Sequence, residues 1–149
     1  MKTHNTYLLE VSIDLDSVLN AVYAQSAWHH AHKPELHRLT SDNARLVTMR
    51  VREAFDQIYT QNMAYVGFAN FNPNIDQANV RFTFRFNHPY HEAMPRDVAQ
   101  IIENALAAFT LMRLYGSLDD YFKAAWRKYS AQLRMVFARD ANFDIINRA

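Results

Sequence analysis

Histidine is the most versatile reactive residue type in this sequence, and its seven copies are unevenly placed. His29, His30 and His32 cluster, His37 lies close behind, and His88 and His91 flank Pro89 and Tyr90 with Glu92 next. Neutral imidazole ligates zinc, nickel or copper, so His88, His91, His29 and His32 are the metal-site candidates. Their spacing weighs against that chemistry. Adjacent residues at a helix end point in different directions, and no HExxH pattern occurs. A metal also demands a full ligand set in the right geometry. The favoured reading is polar histidines at helix and strand ends, with no cofactor.

The carboxylates are next. Asp14 and Asp16 fall on the wet face of an alternating run, and Asp119 and Asp120 stand where a helix begins, which suits the helix dipole. Glycosidase-type chemistry needs two carboxyls opposed across a cleft, and no acid–base partner motif accompanies either pair. Glycine occurs only at Gly67 and Gly116, so neither GxGxxG nor a P-loop can be built. The absence of cysteine excludes disulfides, thiolate metal sites and a cysteine nucleophile. No catalytic residue is expected.

Arg81 and Arg85 share the polar face of one strand, and Arg113, Arg127, Lys128, Arg134 and Arg139 decorate the last helices. Acidic neighbours dilute them and the formal net charge is +1, which argues against a general nucleic-acid binder. Solvated surface comes first, a polar interface second, nucleic-acid contact third. Tyr115, Tyr121, Trp126 and Tyr129 gather near the C-terminal helices, where aromatics at helical spacing are usually core. Trp126 falls just outside the main stripe and reads as a surface anchor for a partner, and Trp28 beside His29 is equally ambiguous. With Phe109, Met112, Arg113 and Tyr115 they make the set of interface candidates.

The elements that carry these residues follow from periodicity. Leu9, Val11, Ile13 and Leu15 alternate with polar residues, a strand near 7–15. Asp16 or Ser17 can cap a helix over 17–30, carrying Val18, Leu19, Val22, Tyr23 and Ser26, which Lys33-Pro34 closes. After Thr40-Ser41-Asp42-Asn43, the stripe Val47, Val51, Phe55, Ile58, Asn62 predicts a helix over 42–64. A hairpin follows: a strand near 65–71, turn formers over 72–76, and the alternation Val80, Phe82, Phe84, Phe86 near 79–87. Pro95 suits the first turn of a helix over 96–115 that is apolar almost all round. Such a helix is either central to the domain or buried against another copy or a partner. Gly116 can end it and Ser117 can cap the next, which spans 118–138 on a Leu118, Phe122, Ala125, Tyr129, Leu133, Val136 stripe. The tail 140–149 carries Phe143, Ile145 and Ile146 without clear period, and either docks on a neighbour or remains mobile.

A length of 149 residues suits one domain, and 50% hydrophobic with 13% aromatic residues supplies a core. Met1 to Thr6 is polar and too short for a signal peptide, and no apolar run of about 18 residues is present. The expected class is a single α+β domain, mostly helical, with four principal helices packed on a small antiparallel sheet of two to three strands.

The order of parts also resembles a family. A short strand leads into LNAVYAQSAW, then TSDNARLVTMRVREAFDQI, the alternating VRFTFRF, a long apolar helix, LYGSLDDYF, and AAWRKYSAQLRMVF. Over about residues 7 to 139 this is similar to a group of uncharacterised proteins from prophage-like structural gene clusters of gut Bacteroidales. In those, the segment matching Leu114 to Phe122 likewise links two helices. The resemblance implies a virion structural role, such as a neck or head–tail connector subunit forming rings, and no established catalytic residues. Such relatives commonly end in a basic, proline-containing tail, whereas this chain ends in Ala141 to Ala149 with Arg148 as its one basic residue. The expectation is therefore a non-enzymatic assembly subunit, cytoplasmic or incorporated in a virion, working through protein partners and homo-oligomer contacts, with nucleic acid and membrane disfavoured. The alternatives are a small metal- or ligand-binding enzyme using the histidines and a nucleic-acid-associated regulator.

Overall fold

Alternating runs become strands because each presents one greasy face, and here the two longest share it. A computed structural model describes residues 7–62, 68–71, 79–86 and 89–147. Strands β1 (Tyr7–Asp14), β2 (Phe68–Phe71) and β3 (Asn79–Phe86) form an antiparallel sheet in the order β1-β3-β2. In the β1–β3 register Leu9 faces Phe84, Val11 faces Phe82 and Ile13 faces Val80, so the buried residues of both strands are matched pairs on one side. The polar residues between them, Glu10, Ser12, Arg81 and Arg85, are exposed. The expected hairpin strands do pair, with a register irregularity between Phe68 and Asn70. The turn 72–76, Val66, Gly67 and His88 lie outside the described residues.

Four helices supply the other layer: α1 (Leu15–His32), α2 (Ala44–Asn62), α3 (Met94–Tyr115) and α4 (Tyr121–Asn147). They cover the apolar face of the sheet. Phe55 of α2 stacks on Phe82 at 5.6 Å, and Phe137 of α4 meets Phe84 at 5.1 Å and Phe86 at 6.0 Å. Burying each such ring contributes roughly 1.5–3 kcal/mol. The α2 stripe is as predicted, with Val47, Val51, Phe55, Ile58 and Asn62 all buried.

Helix α3 runs through the centre, packing against β1 and all three other helices. Seven consecutive residues, Ala105 to Leu111, are buried. Its apolar girth is thus consumed within one chain, the first of the two expected alternatives.

Four details differ from the sequence reading. The N-cap of α1 is Asp14, not Asp16 or Ser17: its carboxylate accepts from Asp16 N–H and Ser17 Oγ, both at 3.0 Å, so strand passes directly into helix. A 3-10 turn, Gly116–Leu118, separates α3 from α4, and Asp119 rather than Ser117 accepts the Tyr121 N–H at 2.9 Å. The buried stripe of α4 is Phe122, Trp126, Ser130, Leu133 and Phe137, rotated from the predicted one, while Leu118 is exposed. Finally, α4 does not end at 138 but continues to Asn147.

Candidate functional site

The last turns of α1, the middle of α3 and the start of α4 converge on a cleft of about 260 Å³. Its walls are aromatic: Trp28 from α1, Tyr121 and Tyr129 from α4. Ala108 and Ala125 line it as well, small enough to leave the space open, and Gln25 and Asn104 add amide groups. Trp28 is 58% exposed and Tyr121 57%, the two most exposed large apolar side chains among the described residues.

Each wall has a local cause. One indole face of Trp28 stacks on His32 at 4.0 Å, since the two residues are one helical turn apart. His32 in turn hydrogen-bonds the Trp28 carbonyl through Nδ1 at 2.8 Å. Tyr121 lies against His29 at 4.6 Å and edge-on to Phe122 at 5.3 Å. The Lys33 ammonium donates to the Leu118 carbonyl at 2.7 Å, tying the end of α1 to the turn before α4.

His29 is buried, and it lines the cleft. Loss of water pushes its pKa below the ordinary histidine value; Asp119 opposes this and His32 reinforces it. A neutral imidazole 3.9 Å from Asp119 Oδ2 forms neither an ion pair nor a hydrogen bond. Sequence spacing contained the signal for its burial. Leu15, Val18, Val22, Ser26 and His29 form one continuous helical stripe, all buried.

Behind the cleft a buried polar chain fixes the α1–α2 connection. Tyr115 OH donates to the His37 carbonyl at 2.7 Å, leaving Ser26 Oγ to donate to Tyr115 at 2.6 Å while accepting the Leu39 N–H at 2.7 Å. Burial raises the Tyr115 pKa, and the Ser26 bond partly offsets it.

The interface candidates separate into two groups. Trp126 is a correction: it is buried, edge-on to Phe109 at 4.9 Å, because it belongs to the core stripe of α4 and is not a surface anchor. Phe109 and Tyr115 are likewise buried within the chain. Met112 is half-buried beside exposed Arg113, whose Nε donates to Glu53 at 3.3 Å. Trp28 alone of the six is an exposed apolar side chain. Gln25 and Asn104 carry no sequence signal that would have placed them together, since only packing brings α1 and α3 side by side. Of the metal candidates, His29 lines the cleft, His32 stacks on Trp28, His91 is exposed, and His88 lies outside the described residues. Among the described residues no three of His, Asp or Glu converge as a metal site, and no helix is long and apolar enough to cross a membrane.

Searches against protein-family models, curated proteins and solved structures found no match to this chain.

Proposed function

We propose that this chain is a non-enzymatic assembly subunit that acts through protein–protein contacts, of the virion neck or head–tail connector type suggested by the sequence resemblance. One observation carries the reading: two large aromatic side chains, Trp28 at 58% and Tyr121 at 57% exposure, flank an uncharged cleft. Exposed Trp and Tyr are the residue types that dominate binding energy at protein interfaces. Leaving both in water costs apolar hydration that a partner would relieve. A second reading, a small-ligand site or enzyme using His29, is favoured by the imidazole lining the same cleft.

Light scattering over a concentration series, with and without co-expression of the products of neighbouring genes, separates the two. A mass that rises to a defined oligomer, or a stable complex with a virion component, supports assembly. A chain that stays monomeric to millimolar concentration and binds none of those products overturns it, and leaves the ligand-site reading as the stronger.

A further inference from the structure

We propose that the cleft between α1, α3 and α4 receives the Trp28 indole of a second copy of this chain, the two copies pairing reciprocally about a two-fold axis. This rests on the assembly reading above and names its partner.

Three observations converge on that occupant. The first is size. About 260 Å³ lies just under the roughly 300–1,000 Å³ of sites for drug-sized ligands, so the space suits one large side chain. The second is chemistry. No aspartate, glutamate, lysine or arginine lines the cleft, and His29 there is buried. Tyr121 and Tyr129 offer ring faces and edges, and the Gln25 amide oxygen can accept one N–H, while the Asn104 oxygen already accepts from Gln100 Nε2 at 3.2 Å. That combination matches a flat apolar ring with a single polar edge, which describes indole. The third is self-complementarity. Among the described residues the aromatic side chains more than half exposed are Trp28 and Tyr121, and both stand at the mouth of this cleft. Protrusion and hollow therefore share one face. A two-fold contact uses the same patch on both subunits, so each copy inserts while it receives. His32, stacked 4.0 Å from the Trp28 ring, holds the indole in place before contact and reduces the ordering cost of binding.

The chain has two tryptophans, so Trp126→Phe, checked for a native circular dichroism spectrum, makes Trp28 the sole tryptophan, excited selectively beyond the tyrosine absorption band. With that variant, emission is expected to move to shorter wavelength as concentration rises, in step with a doubling of mass by light scattering. Trp28→Ala and the cleft-filling Ala125→Phe, each checked for a native circular dichroism spectrum, should each weaken association at least tenfold. An oligomer that survives both substitutions with indole emission unchanged overturns the proposal and leaves the assembly reading standing. A monomer at every concentration and in every variant removes the pairing outright. Wild-type association with Ala125→Phe pairing equally well shows that the cleft is not the receptacle.

Discussion

At His29 two opposing forces act on one proton, and burial wins. A carboxylate 3.9 Å away raises a histidine pKa, but desolvation lowers it more, with His32 adding to the lowering. The consequence for stability has a definite sign. The folded chain prefers the neutral ring, so the unfolded chain takes up the proton first as pH falls. Stability present above the unfolded value of about 6.5 is lost progressively below it, until the lowered folded pKa is passed. Glu103 acts in the opposite sense. Loss of water raises its pKa, the Asp14 N–H that it accepts opposes this and the Asp14 carboxylate adds to it, so its contribution is present below the ordinary carboxylate range and lost as pH rises through the folded value. His29→Gln isolates the first effect. Urea midpoints measured from about pH 7.5 to 5.5 should fall less steeply for the variant than for the parent chain; equal slopes would show that His29 is not the group responsible.

Among the elements, the junction between α3 and α4 illustrates both what was readable and what was not. Gly116 as a helix stop was legible, because only glycine tolerates positive φ without strain. Its φ of 57° confirms the need, although ψ of −129° is far from the left-handed helical value that a simple αL cap would use. The 3-10 turn after it was not legible, since Ser117 is an equally plausible cap from sequence and the choice of Asp119 depends on how α4 is tilted. The α4 stripe failed for a related reason. Ser130 sits within it, and the buried set is hidden beside a more apolar-looking alternative running through Ala125 and Tyr129. By contrast, α2 and the two long strands could be read outright because polar and apolar positions do not compete there. Gly116→Ala tests the junction. Nothing lies within 4 Å of the added methyl, so any loss is backbone strain alone. Thermal or urea unfolding should show destabilisation on the order of 1–3 kcal/mol; a neutral substitution would mean the junction relaxes freely.

Among the described residues the molecule is a two-layer structure, with the polar side chains of β1 and β3 on the wet face of the sheet, β1 and β2 at its edges, and the helical layer organised around α3. The β1 edge is guarded. The Tyr90 hydroxyl donates to the Leu8 carbonyl at 2.6 Å and Asp14 N–H donates to Glu103 at 3.3 Å, so both ends of the outward-facing backbone are occupied. Exposed Glu10 stands between them. Such devices discourage strand addition at this edge. The core is likewise enclosed within one chain. Leu106 is fully buried in the middle of α3. If the apolar girth of that helix needed a second chain, dilution would unfold the protein, because obligate oligomers have no stable monomer. Since one copy already encloses it, the dilute monomer should unfold in a single cooperative urea transition. Leu106→Ala should lower its stability by about 2–5 kcal/mol, the range for deleting a buried leucine side chain. The same loss is expected when protein concentration is raised tenfold, because the cavity lies inside each subunit. A loss that shrinks as concentration rises would instead place part of the α3 surface in a contact between copies.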